Sequence, residues 1–459
     1  MGDAQKAGER KRVCCTCGKP LVKHMVKKHP LQLLVQEQKA GSPKGIYSIC
    51  SANEYVIKAC MSRADGAESV LIEATANQVN QFGGYTGMTP ADFKQFVLGI
   101  AEEIGFNESR IILGGDHLGP LTWSDEPAES AMKKAEALIE AFVAAGFTKI
   151  HIDTSMHLGD DNKNEKLDTA VIAERGARLC RVAEDTFYKV REKNPDAAAP
   201  VYVVGSEVPI PGGSQEEDEG LTVTSPEDMR ATVRTFNEAF LNRDLAAAWE
   251  RVIAVVVQPG VEFGDDSIHE YDSAAAAELV AALNDFPNMV FEGHSTDYQT
   301  KGALREMVRD GIAILKVGPA LTFALREGLF SLALIEKAMF DGVAGVTMSD
   351  FIETMEDVML QNPGNWKKHY HGDQARLKFA RKYSFSDRCR YYIPDERVQR
   401  SVKLLMDNLK SKPIPLTVLS QYMPMAYTKV REGGLSNCPE ALLMERVGNC
   451  ADEYLYSCR

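Results

Sequence analysis

What this chain lacks narrows its function first. No apolar run approaches the roughly 20 residues that a membrane-crossing helix needs, and the polar start from Met1 to Arg12 has no signal-peptide core. A cytoplasmic protein is the expectation. Positive charge is in deficit: 52 Lys and Arg stand against 65 Asp and Glu, a net charge of -13 at pH 7. That balance argues against a nucleic-acid or anionic membrane surface, although a local basic pocket for phosphate is compatible with it. Cysteine is sparse, with 10 in 459 residues. So thin a supply excludes a disulfide scaffold and makes reduced thiols the default. There is no Gly-x-x-x-x-Gly-Lys-Ser/Thr loop, which excludes phosphoryl transfer of the P-loop type. No repeat is present, and the acidic loop Ser214 to Gly220, read as mobile surface, is the one biased tract.

What is present is ordinary globular composition, 44% hydrophobic and 25% charged, arranged in a strict alternation. Eight short, nearly continuous apolar runs, the kind that suit strands buried on both faces, follow one another from Lys44. They are 45–52, 69–75, 110–117, 149–155, 201–208, 252–259, 288–295 and 313–319. Amphipathic stretches separate them at 91–104, 128–145, 169–193, 226–249, 273–283 and 300–308, and Thr89-Pro90 and Ser225-Pro226 supply helix starts. Eight such units over about 300 residues is the count of a (β/α)8 TIM barrel, an α/β fold. The chain therefore divides into a flexible Cys-containing N-terminal tail (1–28), the barrel (29–343) and a helical C-terminal extension (344–459). In the tail, Cys14-Cys-Thr-Cys17 followed by His24 and His29 also admits a small zinc site, with spacing shorter than a usual finger.

Residues at the carboxyl ends of barrel strands face the active-site mouth. The central stretch is Arg110 to Pro120, an apolar strand running into Gly114-Gly115-Asp116-His117. The other strand ends carry Glu73 with Asn77 and Gln78, Asp153, Glu207, Gln258, His294 and Lys316. A lone strand-end histidine is more often hydrogen-bonded structure than ligand, but seven strands ending in polar groups is not how a structural core is built. Two imidazoles, His117 and His294, with oxygen donors from Asp153 and Gln258, make a mixed site for a divalent metal such as Zn²⁺. Glu73 and Glu262 are alternatives for completing its shell. Small residues in Gln81 to Gly87, with Gly84 among them, in Gly293 to Asp297, with Ser295 and Asp297, and in Lys316 to Thr322, with Lys316 and Gly318, suggest a phosphate site after the seventh and eighth strands. A phosphorylated substrate is the expectation.

The segments 72–92, 110–120, 205–213, 255–263, 294–300 and 315–326 resemble those of the tagatose-bisphosphate aldolase Z-type subunit family, described as the non-catalytic subunit of a class II enzyme. The resemblance runs from about His29 almost to the C-terminus and includes Ser386-Asp-Arg-Cys-Arg-Tyr-Tyr392. More distantly, the chain is similar to the catalytic class II fructose- and tagatose-bisphosphate aldolases. That similarity implies Asp116 as a base, His117 and His294 as zinc ligands, Glu207 as an acidic catalytic residue and Lys316-Val-Gly-Pro-Ala as a substrate-binding segment, with Gly318 in place of asparagine. Gln258 stands where those enzymes carry a further zinc histidine, and an amide oxygen is the weaker donor. Two functions follow from the resemblance. One is a homo-oligomeric subunit that binds and supports a catalytic aldolase subunit. The other is a metal-dependent C4 epimerase of ketohexoses or their phosphates, working by retro-aldol and aldol steps.

Overall fold

The structure is a computed structural model that describes residues 28–66, 68–206 and 221–459. Glu207, the acidic loop and the Cys14 to Cys17 cluster lie outside the described residues. All eight expected strands form: β1 (Ile46–Ile49), β2 (Val70–Thr75), β3 (Ile111–Leu118), β4 (Lys149–Ile152), β5 (Val201–Val204), β6 (Val252–Val257), β7 (Val290–Gly293) and β8 (Ile312–Val317). Each pairs in parallel with its sequence neighbours, and β8 pairs with β1, closing the barrel. Helices between the strands cover the outer face, among them Pro90–Ile104, Ala128–Ala145, Thr169–Lys193 and Lys301–Arg309. Thr89 closes a capping box with Asp92, and Ser225 caps the next helix but two. The helix expected over 226–249 is broken. It ends at Leu241, Asp244 takes a left-handed φ of 55°, and a single turn Ala246–Trp249 follows. A short polar side chain is the kind that tolerates that conformation.

The barrel interior changes character along its axis. At the amino end Ile46, Leu71, Ile112, Val201, Ile253 and Val290 form an apolar layer. A plug helix, Pro30–Lys39, closes this end by burying Leu31 and Val35 against it, each worth roughly 1.5–3 kcal/mol of hydrophobic burial. His29 caps the plug: its Nδ1 accepts from the Leu31 N–H at 3.2 Å, and its Nε2 lies 3.0 Å from Thr148 Oγ1. Both ring nitrogens of His29 are thus engaged within the described fold.

Two parts of the C-terminal helical region touch the barrel closely. The last helix, Pro439–Cys458, packs on β1 and on helices Glu54–Arg63, Lys301–Arg309 and Pro319–Phe340. Its Tyr454 ring lies 5.7 Å from that of Tyr47 and its hydroxyl donates to Thr296 O at 2.8 Å. The segment around Phe385 is tied down over the other end of the barrel, with Ser384 Oγ donating to Asp265 at 2.7 Å and the Phe385 ring 4.5 Å from Tyr298. No helix among the described residues is long and apolar enough to cross a membrane.

Candidate active site

Adjacent residues on a strand point to opposite faces, so Asp116 and His117 could not both face the mouth from a regular strand. The strand is not regular there. The β3–β4 register shifts between Gly115 and Leu118, and His117 takes a left-handed φ of 47°. This bulge brings both side chains into one cavity. Ser295, Tyr298 and Asp387, also around the mouth, share the left-handed conformation, and such backbone strain tends to collect at functional sites. The two glycines before Asp116 serve packing. A Cβ on Gly114 would lie 2.7 Å from Glu73 Cγ, and one on Gly115 would strike the Leu118 side chain. Gly114 thus lets Glu73 extend across the barrel.

Glu73 belongs to an ionic layer in the middle of the barrel. Lys149 pairs with Glu73 at 2.8 Å and Glu292 at 2.6 Å, while Lys316 pairs with Glu73 at 2.7 Å and Asp116 at 2.9 Å. Above this layer stand three imidazoles, His117, His151 and His294, whose ring centres are 4.8, 5.0 and 5.1 Å apart. Asp153 accepts from or faces His117 Nδ1 at 2.8 Å, and Glu292 lies 3.1 Å from His294 Nε2. Nδ1 of His151 is 3.1 Å from Asp116 Oδ1. The same Nδ1 accepts the His117 backbone N–H at 3.1 Å, and Nε2 is buried with no hydrogen-bond partner among the described residues.

These residues fit a divalent cation on three counts. One potential ligand atom each from Asp116, His117, His151 and His294 lies within 4.8 Å of the others. Three imidazoles around a tetrahedral ion, with nitrogens at about 2.1 Å, would stand roughly 5 Å apart centre to centre. Finally, four buried carboxylates (Glu73, Asp116, Asp153, Glu292) face two buried ammonium groups (Lys149, Lys316). Four minus two leaves a formal excess of two negative charges when the imidazoles are neutral, which a divalent ion cancels.

The electrostatics agree with that reading. Burial pushes the Asp116 carboxyl up, but Lys316 and the surrounding imidazoles outweigh it and hold it well below the usual carboxylate range. Burial lowers His294 to about 3 despite Glu292, so its ring is neutral, the ligand form. For His117 the burial penalty is outweighed by Asp116 and Asp153, which raise it, and His117 in turn helps hold Asp153 low against its own burial. Burial opposes the charge of Lys316, yet Asp116, Glu73 and Glu292 keep it firmly protonated.

The cavity over this cluster encloses about 690 Å³ including its open mouth. It gathers Asp116, His117, His294, Ser295, Asp297, Lys316 and Gly318 from the residues expected by sequence. Asp153 stands behind His117 as its orienting partner. Gln258, expected as a metal donor, is not brought to the cluster: its Oε1 accepts from the N–H groups of Gly260 and Val261 at 2.9 and 3.0 Å, closing the turn after β6. His151 supplies the third imidazole in its stead. Gly84, expected at a phosphate, is a turn residue with φ 57°, where a Cβ would sit 2.4 Å from Gln78 O. Asp297 Oδ1 accepts from the N–H groups of Gly318 and Ala320 at 3.0 and 2.8 Å, and burial raises its carboxyl to about 6. Sequence reading missed His151, Lys149 and Glu292, although residues 149, 151 and 153 share one strand face. It also missed Tyr85, Arg390 and Tyr391, which roof the cavity from the β2 loop and the turn Arg388–Tyr392.

Known proteins place this architecture. The chain is similar to a probable tagatose 6 phosphate kinase from Sinorhizobium meliloti 1021, at 46% identity over 90% of this chain and 100% of that one, with a TM-score of 0.82. Far more distant are the YdjI aldolase of Escherichia coli K12, at 12% identity over 83% of this chain and 98% of that one, TM-score 0.38, and the fructuronate-tagaturonate epimerase UxaE of Cohnella laeviribosi, at 13% identity over 90% of this chain and 81% of that one, TM-score 0.42. A family model described as D-tagatose-1,6-bisphosphate aldolase subunit GatZ/KbaZ-like matches residues 31–459. The chain belongs to that GatZ/KbaZ-like family.

Proposed function

We propose that this chain is itself a metal-dependent enzyme that breaks and remakes the C3–C4 bond of a ketohexose or its phosphate, with C4 epimerisation as the net result. The observation that carries this reading is the buried group of three imidazoles and Asp116, with an unpartnered Nε2 on His151. A supporting subunit has no need to bury such a group at the bottom of a cavity. His117, His151 and His294 would hold the ion, Zn²⁺ in this proposal. When bound, the cation supplies positive charge that stabilises the C2 oxygen as it becomes negative.

The protein's own groups do the rest. Asp116 Oδ1 is engaged by Lys316 and His151, and Oδ2, with the Cys50 thiol 3.6 Å away, is the oxygen left to accept the proton of the C4 hydroxyl. Lys316 keeps this carboxylate ionised. As the proton leaves, C4 becomes an aldehyde carbonyl, the C3–C4 bond breaks, and its electron pair passes toward the C2 carbonyl. Turning the aldehyde and reversing these steps returns the proton and inverts C4. Escape of the aldehyde gives aldol cleavage instead. Glu207 is retained as a second acid or base in this proposal.

The family description names an aldolase subunit, and the second reading is that the chain supports a catalytic class II aldolase subunit as part of a cytoplasmic homo-oligomer. The chain alone, with and without Zn²⁺, should be assayed by chromatography on fructose 6-phosphate, tagatose 6-phosphate, the bisphosphates and the free sugars. Turnover by the isolated chain, abolished by Asp116→Asn, is the expected result. No turnover of any of them, together with rescue of a catalytic subunit on mixing, would overturn it.

A further inference from the structure

The cavity contains three features that bear on how an anionic substrate would be read, and they do not point to the strand 7 and 8 position. The backbone donors there, the N–H groups of Gly318 and Ala320 at the start of helix Pro319–Phe340, are already taken by Asp297, a carboxylate only 4% exposed. A phosphate would have to displace it and would meet its charge. Lys316 cannot serve either, because its ammonium group is held by Glu73 and Asp116.

Arg390 differs from both. It lines the cavity from the roof, and no carboxylate lies within ion-pair distance of it among the described residues. Its guanidinium is held in position by neutral groups: Nη1 donates to the carbonyls of Ser386 and Asp387, the latter at 2.9 Å, and Nη2 donates to the Tyr391 hydroxyl at 3.0 Å. That leaves Nε–H and one of the two Nη2–H bonds without a hydrogen bond among the described residues, donors that a phosphate oxygen can take from a fully charged guanidinium. The backbone beneath it is fixed. Thr322 Oγ1 donates to Asp387, the Tyr391 ring packs on Tyr85 at 5.0 Å, and Asp387 adopts a left-handed φ of 45°. The arginine is thus pre-placed, which lowers the ordering cost of binding.

We propose that Arg390 is the anchor for the phosphate of a ketohexose monophosphate, and that Asp297 closes the strand 7 and 8 position to a second one. The site would then favour monophosphates over bisphosphates. This deepens the reading of the cavity as a sugar site and rests on it.

Equilibrium titration by calorimetry separates the two. Zn²⁺-loaded protein is titrated with fructose 6-phosphate, fructose 1,6-bisphosphate and fructose, using wild type, Arg390→Gln, Arg390→Lys and Asp297→Asn, with melting temperatures as the folding control. The expected result is that Arg390→Gln weakens fructose 6-phosphate roughly ten- to a hundredfold, as loss of charge-assisted hydrogen bonds does. Fructose should change less than about threefold, Arg390→Lys should recover part of the loss, and Asp297→Asn should improve the bisphosphate relative to the monophosphate. Equal weakening of fructose and fructose 6-phosphate would overturn the proposal, since it marks a merely structural roof. So would unchanged affinity in Arg390→Gln, or wild-type protein that does not prefer the monophosphate. Because binding is read directly, an anchor confirmed in protein that turns over nothing would leave this inference standing while the catalytic reading fell.

Discussion

The two ends of the barrel are built from the same eight strands and could hardly differ more. At the amino end the strands present Ile46, Leu71, Ile112, Val201 and Val290 to a plug helix. A few residues further along, the same strands present Glu73, Asp116, His151 and Glu292, all buried. The apolar end gains stability from every side chain it buries. The ionic end spends stability, because desolvating charges costs more than pairing them usually returns, and removing one member leaves its partners uncompensated. Along each of these strands, packing for stability gives way within a few residues to buried charge that only a function requires.

That contrast can be broken by substitution. The largest effect belongs to the ionic end: His294→Ala or His151→Ala should reduce turnover by roughly a thousandfold or more, the loss of several kcal/mol of charge stabilisation. Their denaturant midpoints, measured without metal, should fall modestly, since His294→Ala leaves the buried Glu292 without that imidazole, His151→Ala does the same to Asp116, and each opens a cavity. Next, at the apolar end, Leu31→Ala should cost about 2–5 kcal/mol in a denaturant melt and leave the activity of the folded fraction unchanged. A Leu31→Ala variant as stable as wild type would show that the plug is ornamental.

The third test sharpens the contrast through pH. His29 in the plug is held by burial at about 4, below its ordinary 6.5. The folded state therefore prefers the neutral ring, whose Nδ1 accepts from Leu31. Its contribution is complete above pH 6.5 and is lost as pH falls from there toward 4, by roughly 3 kcal/mol in all. Thermal melts from pH 7 to 4 should show this slope, and His29→Gln should flatten it. The smallest effect is expected behind the metal ligands: Asp153→Asn keeps the shape beside His117 but removes the charge, and should weaken metal binding about 10- to 100-fold.

The sequence made these two ends unequally legible. The eight strands could be read because runs such as Val252 to Val257 are apolar without interruption, as strands covered on both faces must be. Asp116, His117 and His294 could be read because charge at the end of such a run is conspicuous. His151 was hidden by its position. It lies one inward-facing step before Asp153, inside the strand instead of at its tip, and the tip residue drew the assignment. Gln258 misled for the opposite reason: it is polar and follows β6, yet its amide closes a turn. The plug helix does not announce itself because Leu31, Leu33, Leu34 and Val35 crowd its first half without a repeating stripe, and Leu31 and Val35 are buried only because a barrel floor receives them. Arg390 lies more than 70 residues past the last strand, and nothing local to Ser386–Tyr392 says that its turn is folded back over the mouth.

The claim on which the rest depends is that the ionic end is a metal centre. Protein stripped with chelator and titrated with Zn²⁺, with bound metal counted by mass spectrometry of the elements, tests it without reference to any substrate. One tightly held ion per chain is expected, lost when His117, His151 and His294 are replaced together by alanine. Zinc that fails to bind near one per chain, or that binds the triple variant as well as wild type, would contradict it.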